Sequence, residues 1–208
     1  MSYGTILFPK IEDFSKLCNL SEEELQASID SEIRLMTNKF NEFRALAFCT
    51  PHDVFGDTAY DKIKTLVNQY FDDYVESYGL HFELTQVLDL KEQAESIEEG
   101  DTRHDGSPKR PYLYFNRFVY SSQYEAESLV EENTQELMKL KGRILGMCLA
   151  TPIDITPRDQ EKYSDGHEEP LYYIDRELNY LEESLDDCLR TIYVAKITAK
   201  YWDGHEEG

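Results

Sequence analysis

From Leu171 to Trp202, apolar residues return at every third or fourth position: Leu171, Ile174, Leu178, Leu181, Leu185, Cys188, Ile192, Ala195, Ala199 and Trp202. A strand alternates with a period of two, so it cannot place these residues on one side. An α-helix can, because 3.6 residues complete a turn. The result is an apolar seam held for more than four heptads, and such a seam is stable only when other helices cover it. Pro170 stands just ahead of it, at the position where proline best opens a helix.

The same chain supplies the covering faces. Ser21 followed by Glu24 forms a capping box, and Leu25, Ile29, Ile33, Met36, Phe40, Phe43 and Ala47 repeat at helical spacing, predicting a helix over about 22–48. Thr50-Pro51 ends it, because a residue before proline is pushed out of helical geometry. After the loop PHDVFGD comes a second stripe, Ala59, Ile63, Val67, Tyr70, Tyr74 and Tyr78, with Gly79 as its expected stop. LHFELTQVLDL then fits either a strand or a helix, and KEQAESIEEG reads as a short helix ending at Gly100. Ser122 and Glu125 form a second capping box ahead of Ala126, Val130, Leu137, Leu140, Ile144 and Met147, predicting a helix to about Leu149. Its Gly142 and Gly146, four apart, suggest a close helix crossing.

The expected fold is therefore mainly α: four long helices in a bundle, as one domain over 1–208. Tyr3–Phe8 (YGTILF) and Tyr112–Tyr120 (YLYFNRFVY) read as strands and are expected to form a small two-stranded β element. A short helix is expected around Ile11–Cys18. FCTPHDV and LATPIDI share one pattern, each after a long helix, so a doubled helix–loop–helix unit is considered, with halves 21–100 and 121–202 joined by 101–120. Proline followed by Asp is also good turn chemistry, and Asp53 and Asp154 are read as turn residues.

Charge narrows the function classes. Acids outnumber bases 42 to 21, for a formal charge of −21. Such a surface repels phosphate backbones and anionic membranes, so direct nucleic-acid binding and membrane docking are not expected. No apolar run reaches membrane-spanning length, and no signal peptide is visible at the N-terminus. Cys18, Cys49, Cys148 and Cys188 form no CxxC and lie on or beside helical stripes, which predicts buried, reduced thiols and an intracellular site of synthesis.

DGHEE occurs twice, at Asp165–Glu169 and Asp203–Glu207. If 170–202 is one helix, it is about 50 Å long, so His167 and His205 cannot share an ion within one chain. The repeat then reads as punctuation around a helix. His52-Asp53 and His104-Asp105 are similar to the His-Asp pair of HD-type metal phosphohydrolases. That site needs its pair on a helix with further ligands nearby, whereas one pair here follows a proline and the other sits in a Gly/Pro loop. Glu131, Glu132 and Glu136 on one helix and Glu183 and Asp186 on another are the remaining Mg²⁺ candidates. They fall outside the apolar seams, where a solvated face accounts for them. No GxSxG, Walker or GxGxxG pattern occurs. No catalytic residue, cofactor or metal is assigned.

The expected function is a non-enzymatic structural or adaptor subunit of a larger protein assembly, homo- or hetero-oligomeric, with a viral or phage connector-like component as the specific form. Fifteen tyrosines suit half-wet contact surfaces. The interface candidates are Tyr3 and Phe8 on the N-terminal arm, with Lys109, Arg110, Tyr112, Tyr114 and Phe118 in the basic-aromatic stretch. An acidic inhibitor that imitates DNA and a helical metal-dependent phosphohydrolase are the alternatives.

Overall fold

A computed structural model describes residues 17, 19–49, 51–97, 123–150 and 170–203, with backbone alone for 52, 123, 170 and 198–203. Within them lie helices α1 (Glu22–Phe48), α2 (Pro51–Phe55), α3 (Ala59–Ser96), α4 (Gln123–Leu149) and α5 (Pro170–Asp203), with a 3-10 turn at Gly56–Thr58 between α2 and α3. The described part is a bundle of four long helices and contains no strand. Tyr3–Phe8, Ile11–Lys16, Cys18, Tyr112–Tyr120 and Ser122 lie outside the described residues.

Helix α1 starts as its capping box dictates. The Ser21 hydroxyl accepts from the Glu24 amide at 3.2 Å, and the Ser21 amide donates back to the Glu24 carboxylate at 2.8 Å. Glu22, Glu23 and Glu24 crowd the positive end of the helix, where negative charge is favoured. At the other end Cys49 is extended, two residues before Pro51, and its amide closes the last turn on the Leu46 carbonyl at 3.2 Å. The chain then turns through α2, where a loop was expected. Asp53 stands in the first turn of that short helix, so it is not a loop residue. Gly56 makes the bend with φ of +59°, a left-handed geometry that glycine adopts without a side-chain clash.

The largest departure from expectation is α3. Gly79 does not stop it; the helix is 38 residues long and runs unbroken to Ser96, taking in the ambiguous segment and the polar one as far as Ser96. A glycine inside a helix costs about 1 kcal/mol relative to alanine. Beyond Gly79, Leu84 and Val87 are buried against Leu25 and Ile29 of α1, with Leu17, Leu20 and Leu88 packed around them. Burying even one leucine outweighs the glycine penalty. The expected close crossing at the α4 glycines is also absent at Gly146, where a Cβ would meet nothing within 4 Å.

Helices α1 and α3 pack as one antiparallel pair, α4 and α5 as another, and the two pairs share one core. Phe40 and Phe43 of α1 meet edge to face at 5.7 Å, and each touches α3, at Tyr74 and Tyr70. From α5 the seam contributes Ile174, Leu178, Leu181, Leu185, Cys188, Leu189 and Ile192, all buried. Leu171, expected in that seam, is exposed, so the core begins at Ile174; Ile33 of α1 is likewise on the surface. Tyr193 stacks between Tyr78 and Phe82 of α3 at 6.0 and 5.7 Å, which ties α5 to the second half of α3.

Candidate functional site

Beside its apolar seam, α5 carries Asp175, Asn179, Glu182 and Asp186, spaced four, three and four apart and therefore aligned on one face. This polar row meets α1 and α3. Arg44 of α1 spans three of its members: Nε lies 3.3 Å from Asp175, and Nη2 lies 3.1 Å from Glu182 while also donating to the Asn179 side chain. The guanidinium sits over the Phe40 ring at 5.1 Å and gives a further hydrogen bond to Asn41 at 2.9 Å. Burial raises the Glu182 carboxyl above the usual carboxylate range even though Arg44 pulls it down.

The row continues onto α3. The Tyr78 hydroxyl donates to the Asp186 carbonyl at 3.3 Å. Burial, reinforced by Glu182 and Asp186, drives the Tyr74 phenol far above its ordinary range, and burial with Asp186 does the same to Tyr78. Neither phenol serves as a base near neutral pH. The Asp186 carboxyl is raised by its own dehydration and by Asp187, with Arg190 and His81 acting the other way. The arrangement is a set of helix-to-helix clamps: it fixes the register of α5 on α1 and α3. It assembles no nucleophile beside a base.

Two of the described thiols, Cys148 and Cys188, are equally unreactive. Cys148 is fully buried, its Sγ donates to the Phe43 carbonyl at 3.7 Å, and burial pushes its pKa up to about 12. Cys188 is also buried and raised, while Cys49 is only partly covered; all three are free.

The sequence-predicted interface residues Tyr3, Phe8, Lys109, Arg110, Tyr112, Tyr114 and Phe118 lie outside the described residues, as do His104, His167 and His205. Helix α5 does run unbroken from Pro170 into Asp203, so the residues that flank the two DGHEE copies stand about 50 Å apart. The helical acids are not gathered into a site. Glu132 accepts from Ser128 at 3.2 Å, Glu136 pairs with Lys139 at 2.8 Å, and Asp186 belongs to the α3 contact. Among the described residues no three His, Cys, Asp or Glu side chains are placed to hold a metal ion. Bases interrupt the acidic surface through Lys39–Asp73, Lys141–Asp72 and Arg143–Glu177 contacts at 3.0, 3.1 and 3.6 Å.

One surface feature had no counterpart in the reading of the sequence. The C-terminal ends of α1 and α4, helix α2, and the first turns of α3 and α5 meet at one end of the bundle. Arg44–Asp175 and Cys148–Phe43 bring these ends together. That end exposes Phe48, Val54, Tyr60, Leu171 and Tyr172, the last at 60%. The signal was present: Val54, Tyr60 and Tyr172 stand off every apolar stripe, so the fold had no interior place for them. No family model, curated protein or solved structure matches this chain.

Proposed function

We propose that the chain is a non-enzymatic structural or adaptor subunit that docks onto other protein subunits through this end of the bundle. The observation that carries the reading is the exposed set Phe48, Val54, Tyr60, Leu171 and Tyr172. Large apolar side chains scattered singly are ordinary on any surface, but five of the ten exposed among the described residues stand at this one end, which favours a contact region there. Tyrosine is a common anchor in such regions, because its ring buries while its hydroxyl stays satisfied. The strands expected at Tyr3–Phe8 and Tyr112–Tyr120, with Lys109 and Arg110 beside the second, would add pairing edges to the same role. A connector-like component of a larger particle, such as a virion, is the specific form proposed.

The chain's formal charge of −21 favours protein partners over nucleic acid or anionic membrane. No helix among the described residues is long and apolar enough to cross a membrane.

Sedimentation of the tagged chain from its source cells tests the proposal. It should travel in a complex well above its own 24.3 kDa. A variant carrying Val54→Asp, Tyr60→Glu and Tyr172→Glu should leave that complex while keeping its helical circular dichroism. A chain that sediments as a monomer, or a complex indifferent to the triple substitution, refutes it.

A further inference from the structure

The only histidine with a described side chain, His81, sits where three long helices meet. It lies on α3, half-buried, with its ring edge-on to Tyr78 at 6.3 Å and 73°. Two carboxylates from other helices act on it, Asp186 of α5 and Glu32 of α1. Arg190 and Asp187 of α5 act on Asp186 in turn. The ring nitrogen Nδ1 is enclosed and has no hydrogen-bond partner among the described residues.

That nitrogen behaves differently in the two protonation states. In a neutral ring with its proton on Nε2, Nδ1 is an unfilled acceptor, a modest cost. In the imidazolium both nitrogens are donors, and an enclosed, charged N–H without an acceptor costs considerably more. The ring must then swing toward Asp186 or Glu32, or the crossing must open to water. Swinging is resisted on one side, because Tyr78 is itself clamped: it is buried, stacked on Tyr193 and bonded to α5. Burial acts in the same direction, holding His81 below the ordinary histidine range against the pull of both carboxylates.

We propose that protonation of His81 loosens the junction of α1, α3 and α5 around residues 78–82, giving the bundle a proton-triggered opening near its middle. The device is independent of what docks at the bundle end.

Hydrogen exchange of the full chain between pH 7.5 and pH 5, corrected for intrinsic exchange, reads the opening directly. Amides around Tyr78–Phe82 should gain exchange as pH falls, by up to about tenfold per pH unit. Amides around Leu137–Ile144 of α4 should respond less. His81→Phe and His81→Gln should each abolish the difference between the two segments. Should neither variant fold, NMR titration of the His81 ring in the unsubstituted chain decides. A ring that titrates at or above the ordinary histidine value overturns the proposal. So does exchange around Tyr78 that ignores pH, or an acid response that survives both substitutions.

Discussion

Replacing Arg44 by methionine isolates the charge at the α1–α5 clamp, because methionine keeps an apolar stem over Phe40. The substitution removes contacts to Asp175, Asn179 and Glu182 at once. A charge-assisted hydrogen bond contributes about 1.5–3 kcal/mol net, while a fully exposed ion pair contributes about 1 kcal/mol or less. The Arg44 side chain is 22% exposed, Glu182 34% and Asp175 49%, which places the clamp between these limits. The expected loss is about 2 kcal/mol, or about 4–8 °C in Tm for a chain of this length. Its pH dependence makes the reasoning testable. Burial already holds the Glu182 carboxyl above the usual range, and removing Arg44 removes what opposed that shift. A raised carboxyl adds stability when protonated and loses it as pH rises, so the deficit of Arg44→Met should shrink as pH falls from 7 toward the carboxylate range. Adding Glu182→Gln should recover part of the loss at pH 7. Denaturant melts of the three proteins at several pH values measure all of this. A pH-independent deficit, or no coupling between the two substitutions, would show that Arg44 acts only through packing.

Other consequences are simpler to measure. Leu181→Ala removes a fully buried seam residue of α5 and should cost about 2–5 kcal/mol in a urea melt. Gly146→Ala adds a methyl group into open space on α4 and should raise stability by about 0.5–1 kcal/mol in the same assay. A thiol reagent should label Cys49 well before Cys148 in the native protein, and both alike after denaturation, because Cys148 is buried with its pKa pushed up to about 12. Acidification should move stability in two opposite steps. The depressed His81 removes stability as pH falls through the histidine range, and the raised Asp186 and Glu182 restore some at lower pH. A Tm profile from pH 8 to 4 in which His81→Phe leaves the first step unchanged would contradict the assignment.

What could be read in the sequence was what a single helix decides for itself. The α1 boundaries, its capping box and the long α5 follow from periodicity and end chemistry, both local, and all three are found as read. Gly79 was misread because its cost is local while its compensation is not: Leu84 and Val87 hold the helix together by meeting Leu25 and Ile29, more than fifty residues earlier. Arg44 and His81 escaped notice for the same reason. Each lies beside an apolar stripe, and nothing in the stripe says which neighbouring helix supplies the carboxylates. Gly146 shows the converse: the glycine spacing suggested a close approach that no described helix makes at that residue.

The exposed end follows a different logic from the seams. Leu178, Leu181 and Leu185 are fully buried, so the fold itself accounts for their identity. Val54, Tyr60 and Tyr172 keep half or more of their surface in water, and exchanging them for polar residues would take little from the core. Burial therefore gives little reason for apolar side chains at those positions, although the Tyr60 ring does carry the Lys64 ammonium at 5.8 Å. An acidic chain has ample charged residues to place there instead. Under the proposed function a partner surface supplies that reason, since docking would bury the rings and the valine that the bundle leaves in water.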